Sequence, residues 1–128
     1  MERLVRVLIA DDRRSAREGL RALLSLYPQV EVVGEAGDGQ EAIRFVSERQ
    51  PHLVVMDMQM PVMDGIEATR RIKDRWPEVK VVALTIHPQY RTEAIAAGAD
   101  AFLFKGDSLQ ALQDAILAQV HGLSGRTG

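Results

Sequence analysis

The chain of 128 residues contains no cysteine. Disulfides, thiolate metal sites and cysteine nucleophiles are therefore excluded. No apolar run approaches the ~20 residues that cross a bilayer. The first residues, Met1-Glu2-Arg3-Leu4-Val5-Arg6, carry charges where a secretory leader needs its apolar stretch. These absences make the cytoplasm the expected compartment and leave no membrane partner. A charge excess of one sign is missing too. Sixteen Lys and Arg against 18 Asp and Glu give a net charge of −2, so no nucleic-acid surface is expected in this chain. There is no low-complexity tract, internal linker or second composition zone.

What is present is ordinary for one globular domain: 46% hydrophobic and 27% charged residues. Short β-branched runs (Leu4–Ala10, Val30–Val33, Leu53–Met56, Val79–Leu84 and Ala101–Phe104) alternate with amphipathic segments. The runs read as strands buried on both faces. Between them Ala16, Leu20, Leu23 and Leu24 repeat at helical spacing, as do Ala42, Ile43 and Val46, then Ile66, Ala68, Thr69 and Ile72. Ala94, Ile95 and Ala97 form a shorter set, and Leu109, Leu112, Ile116 and Val120 close the chain. Proline after Tyr27, Gln50 and Trp76 marks the first three helix ends, because the residue before proline disfavours the α region. Asp64 can cap the third helix, and Asp107 or Ser108 the fifth. Gly98 stands where a C-terminal cap is expected. Strict alternation of this kind implies an α/β fold, a doubly wound five-stranded parallel sheet with five helices.

In such a sheet ligands bind at the carboxyl ends of the strands. The first strand delivers Asp11 and Asp12 there, the third Asp57, the fourth Thr85 and the fifth Lys105. A strand-end aspartate alone is usually a turn former or a cap; the conjunction is what points to chemistry. Three carboxylates together repel one another and call for a cation. Oxygen ligands without histidine or thiol favour Mg²⁺ or a similar hard ion such as Mn²⁺. Beside such an ion Asp57 can attack a phosphoryl group, with Thr85 and Lys105 neutralising its oxygens. Two other readings remain open at this point. An aspartyl phosphatase usually carries a second aspartate two residues on, whereas Asp11 and Asp12 are adjacent. A nucleotide site would use Gly34-Glu35-Ala36-Gly37-Asp38-Gly39, but its place and spacing read as a turn.

The motifs Asp11-Asp12, Met56-Asp57-Met58-Gln59-Met60-Pro61, Met63-Asp64-Gly65, Thr85, Ala97-Gly98-Ala99 and Lys105 follow in order over essentially the whole chain. In this the sequence resembles the receiver domain of two-component response regulators. Arg17 to Leu24 and Leu84-Thr85-Ile86-His87 are similar to the NarL/LuxR-type subgroup. The resemblance implies a flavodoxin-like strand order, 2-1-3-4-5. It implies a sensor histidine kinase as phosphoryl donor and Asp57 as acceptor. It also implies a switch rather than a turnover enzyme, a homodimer on phosphorylation, and transcriptional control through a DNA-binding domain absent from this chain. Asp12, Asp57 and the Gln59 carbonyl would bind Mg²⁺ directly and Asp11 through water. Thr85 and Phe102 would be the switch pair. Gln59, Ile86 and His87 would tune access and phosphoryl lifetime. Residues 1–121 would form the receiver and 122–128 a tail or the start of a linker.

Departures from the family pattern carry expectations of their own. Gly106 follows Lys105 where many receivers have a proline, often cis. Arg13-Arg14 places dense positive charge beside the metal site. Between Thr85 and the fourth helix the connection is short, with Pro88 expected in the first helical turn. Phe102 has no hydroxyl to hold it at the surface, so it is expected largely buried even without phosphate. Ile86, bulky and stiff at χ1, is expected to restrict access to Asp57.

Overall fold

The computed structural model describes residues 4–124. Five strands, β1 (Val5–Ala10), β2 (Val30–Ala36), β3 (Leu53–Asp57), β4 (Lys80–Thr85) and β5 (Ala101–Phe104), alternate with α1 (Arg14–Leu24), α2 (Gly39–Arg49), α3 (Gly65–Arg75), α4 (Arg91–Ala96) and α5 (Leu109–Ser124). All strand pairs are parallel, in the order β2-β1-β3-β4-β5. The strand side chains divide between two cores. Leu8, Ala10, Val54, Met56, Val81 and Ala83 pack with Ala42 and Val46 of α2, Ala68 and Ile72 of α3, and Ala94 of α4. Val5, Val7, Ile9, Leu53, Val55, Val82 and Leu84 pack on the other face with Leu20 and Leu24 of α1 and Ile116 and Val120 of α5. The period of two along a strand makes this division.

Burial on both faces holds for β3, where every residue is buried, and for nearly all of β1 and β4. It does not hold for β2 and β5, whose residues are mostly half-exposed. They are the sheet edges, and the helices cover an edge strand from the inner side only. Phe102 shares this fate: it is half-buried, packed against the first core rather than enclosed by it.

The segment from Gly34 to Gly39 is only partly a turn. Gly34, Glu35 and Ala36 continue β2, paired with Leu8, Ile9 and Ala10 past a register shift beside Val33. Glycine there leaves room for a side chain distant in sequence. A side chain at Gly34 would meet the Arg49 guanidinium at 2.6 Å, and that guanidinium donates to the Val33 carbonyl. The remaining turn ends on Asp38, whose Oδ1 accepts from Glu41 N at 2.8 Å and caps α2.

The other ends follow the expected chemistry with shifts of a few residues. Asp64 Oδ1 caps α3 through Glu67 N at 2.8 Å, and Ser108 Oγ accepts from Ala111 N at 3.1 Å. α1 closes at Leu24, ahead of Tyr27-Pro28, because Ser25 and Leu26 already turn the chain. Pro88 opens a 3₁₀ turn, Pro88–Tyr90, that runs straight into α4, with His87 extended before it. Gly98, at φ 105°, ends the α4 segment. α5 continues through Gly122 to Ser124, so the expected boundary at 121 falls inside it. The part of the expected tail from 125 to 128 lies outside the described residues.

One polar cluster closes the end of the sheet remote from the strand tips. Asp100 Oδ2 accepts from Lys73 Nζ at 3.0 Å and from Val81 N at 2.8 Å, and Asp100 N donates to the Val81 carbonyl at 2.8 Å. Lys73 Nζ also reaches the carbonyls of Pro77 and Val79. Asp100→Ala strands the Val81 N–H at the start of a buried strand. The expected loss is ~1–3 kcal/mol, read from urea unfolding. Glu18→Ala, which breaks only the exposed Arg14–Glu18 pair, should cost ~0.5 kcal/mol or less.

Candidate functional site

Asp57 is the last residue of β3, Asp11 and Asp12 follow β1, Thr85 ends β4 and Lys105 follows β5. Parallel pairing in register brings these ends to one edge. The loop after β3 is folded back tightly. Gly65 N donates to the Met58 carbonyl at 2.9 Å, and a Cβ at Gly65 would collide with the Asp57 carbonyl. Only glycine lets α3 start this close to the acidic strand end. Within the same loop Val62 is 76% exposed and sits at φ 69°, a strained conformation for a β-branched residue.

Carboxylate oxygens of Asp11, Asp12 and Asp57 lie within 4.8 Å of one another. Asp11 and Asp57 are buried and Asp12 is exposed. Lys105 Nζ stands 2.6 Å from Asp11 Oδ2 and 3.8 Å from Asp57 Oδ2. Arg13 N donates to Asp11 Oδ1 at 2.9 Å, and Gln59 N to Asp57 Oδ1 at 3.3 Å. Burial pushes the Asp57 carboxyl above its ordinary pKa. Lys105 opposes that rise, Asp11 and Asp12 add to it, and the Gln59 N–H opposes it. The donor set is hard oxygen with surplus negative charge, which fits a divalent cation such as Mg²⁺.

A cleft of about 440 Å³ opens over this group. Asp57 forms its buried side, Lys105 flanks it, and Asp12, Arg13, Gln59, Ile86 and His87 line it toward solvent. Ile86 is half-exposed on the cleft rather than packed under α4. Thr85 is brought to the same edge but does not line the cleft: it is fully buried, and its Oγ1 accepts from His87 N at 3.1 Å. Phe102 lies on β5, away from the cleft. Phe104 turns its ring over Gly106, and all described peptide bonds are trans.

Arg17 is a site residue that the motif reading passed over. Its Nη1 donates to the Asp11 carbonyl at 2.8 Å while its Nε pairs with Glu35 at 3.2 Å. Its place in the first turn of α1, just past the acidic pair, was the available signal, since a long side chain there reaches back over the loop.

Residues 7–117 match the family model of the response regulator receiver domain. The chain belongs to the response regulator receiver family. The receiver is 40% identical over 121 residues to the transcriptional regulatory protein LiaR of Bacillus subtilis, covering 93% of this chain and 57% of that protein. It is 36% identical over 123 residues to the transcriptional regulatory protein DegU of Brevibacillus brevis, covering 94% and 52%. The chain thus spans little more than half the length of these relatives. Its fold superposes with a TM-score of 0.87 on a two-component response regulator of the LuxR family from Aurantimonas sp. SI85-9A1, at 36% identity over 93% of this chain and 86% of that one. The subgroup expected from the sequence is thereby shown. No helix among the described residues is long and apolar enough to cross a membrane.

The raised Asp57 pKa has a consequence for the metal-free receiver. A carboxyl whose folded pKa lies above its unfolded value favours folding below the unfolded pKa, and that contribution is lost as pH rises through the folded pKa. Above the ordinary aspartate range Asp57 is therefore a destabilising group in the metal-free fold. Asp57→Asn is expected to raise the urea midpoint in EDTA at pH 7. The difference should shrink as pH falls toward the ordinary aspartate range near ~4. A midpoint for the variant below the wild type at pH 7 contradicts this.

Proposed function

We propose that this receiver is a phosphorylation switch in which Asp57 accepts a phosphoryl group from a sensor histidine kinase. The observation that carries the reading is the placement of Asp57: buried at a strand end, within a group of three carboxylates, faced by Lys105 at 3.8 Å and lining the cleft. Asp12, Asp57 and the Gln59 carbonyl would hold Mg²⁺, or Mn²⁺, with Asp11 behind them. When bound, the ion offsets carboxylate repulsion and neutralises charge on the phosphoryl oxygens. An Asp57 oxygen attacks phosphorus, the bond to the donor's nitrogen breaks, and the product is an aspartyl phosphate. Lys105 takes one equatorial oxygen, leaving its shorter contact with Asp11. The Thr85 hydroxyl takes another, which requires that it give up the His87 N–H. Phe102, half-buried on the edge strand beside it, is free to turn further in. Hydrolysis of the acyl phosphate resets the site, and the receiver turns over no other substrate.

The output of the whole protein, in this reading, is transcriptional control through a DNA-binding domain; the likeness to the transcriptional regulatory proteins LiaR and DegU supports the first part. The receiver, in this reading, includes the whole of α5 to Ser124 rather than ending at 121. Phosphorylation favours a homodimer, the receiver acts in the cytoplasm, and no nucleic acid binds through this chain.

Incubation with acetyl phosphate and Mg²⁺ should add the mass of one phosphoryl group at Asp57, and EDTA should abolish it. Asp57→Asn keeps the shape and removes the nucleophilic charge; full Mg²⁺-dependent labelling of that variant would falsify the assignment, and turnover of added phosphoesters would favour a phosphatase. Ile86→Ala should speed labelling by acetyl phosphate at least ~twofold, because the side chain borders the approach to Asp57 and barriers scale with access to an attack geometry. Unchanged or slower labelling counts against Ile86 as a gate.

A further inference from the structure

The arginines of the first helix and its approach have different fates. Arg14 pairs with Glu18 at 3.1 Å, and Arg21 with Glu35 at 2.7 Å. Arg17 is held by Glu35 and the Asp11 carbonyl. Arg13 is anchored through its backbone alone, its N–H on Asp11 Oδ1 at 2.9 Å and its carbonyl accepting from Arg17 N at 3.1 Å. Among the described residues its guanidinium makes no hydrogen bond or ion pair, yet it lines the cleft that opens onto Asp57. The other cation lining the cleft, Lys105, is already committed to Asp11 at 2.6 Å. Arg13 is therefore the uncommitted positive charge on the solvent side of the nucleophile.

In-line displacement fixes what that position means. Asp57 attacks from the buried side, so the leaving group departs toward solvent, past Arg13. We propose that Arg13 is a specificity-determining residue that favours small acyl phosphates over phosphoramidate-type donors. This rests on Asp57 being the acceptor. With an acyl phosphate, the P–O bond to the acyl group breaks and the electron pair leaves on a carboxylate oxygen, with no proton required. A guanidinium at the exit stabilises that developing anion. With a P–N donor whose nitrogen is already protonated, the P–N bond breaks, its electron pair stays on that nitrogen and a neutral amine leaves, so no anion forms for Arg13 to meet. A guanidinium keeps its charge at all working pH and can engage a carboxylate through two parallel N–H donors.

The test is the ratio of Asp57 labelling rates with acetyl phosphate and with phosphoramidate, at saturating Mg²⁺, for the wild type, Arg13→Lys and Arg13→Gln. Effects on cation binding are common to both donors and cancel in the ratio. Gln keeps the backbone N–H that Asp11 holds, and the side chain is exposed, so the fold is expected to survive. The ratio should fall at least ~fivefold in Arg13→Gln, about what one exposed charge pair is worth, and far less in Arg13→Lys. Raising the salt concentration should shrink the wild-type preference and leave Arg13→Gln unmoved. A ratio unchanged in Arg13→Gln, while both donors still label Asp57, overturns the role of Arg13 and leaves the acceptor assignment standing. Failure of both donors to label the wild type overturns the acceptor assignment and this role with it.

Discussion

Lys105 and Asp11 meet at 2.6 Å across 94 positions of sequence, and the acidic edge depends on that contact. Asp11 is 1% exposed, and a carboxylate so far from water needs a partner: removing one side of a buried pair costs ~3–5 kcal/mol. The lysine reaches it because β1 and β5 run parallel, with β3 and β4 between them, so that both chains arrive at the same edge. The ammonium is a resident cation in a site whose three carboxylates still exceed its charge. What remains is a deficit that a divalent ion can fill, and an Asp57 carboxyl whose ionisation burial already disfavours.

The same lysine links the acidic group to the end of β4. Lys105 N donates to the Thr85 carbonyl at 2.7 Å, and Thr85 Oγ1 in turn holds His87 N at 3.1 Å. The His87 ring stands edge-on to Tyr90 at 5.7 Å, and Tyr90 N donates to the His87 carbonyl at 3.2 Å. A pull on the Thr85 hydroxyl is therefore felt at once in the 3₁₀ turn that starts on Pro88. With proline there and a short α4 directly after it, that turn has few alternative conformations to adopt. β5, by contrast, is an edge strand with half-exposed side chains.

Much of this was legible in the chain before any coordinates. Continuous β-branched runs must be buried, and burying them in parallel requires crossovers; so the alternation dictated the sheet, and the sheet dictated that Asp11, Asp12, Asp57, Thr85 and Lys105 would share an edge. Asp64 as a cap and Gly98 as a terminator were equally local, since each acts on its own helix end. Legibility failed where the outcome turned on a neighbour distant in sequence. Gly34 read as a turn residue because nothing nearby announces that Arg49 occupies the space above it. The runs of β2 and β5 did not by themselves mark them as edges; the expected order came from the family resemblance, because strand position is a property of the whole sheet.

The sequence by itself determined which chemical groups exist and at which strand ends they stand, because hydrophobic periodicity and chain connectivity are local and nearly sufficient for an alternating α/β fold. Only the tertiary structure decided how those groups pair. It set Lys105 closer to Asp11 than to Asp57, turned Arg17 to Glu35, and left the Arg13 guanidinium facing the cleft with no partner among the described residues. The physical reason is range. Burial of a run depends on composition over a few residues, whereas an ion pair depends on ångström-scale distances between side chains from separate elements, which no spacing along the chain encodes.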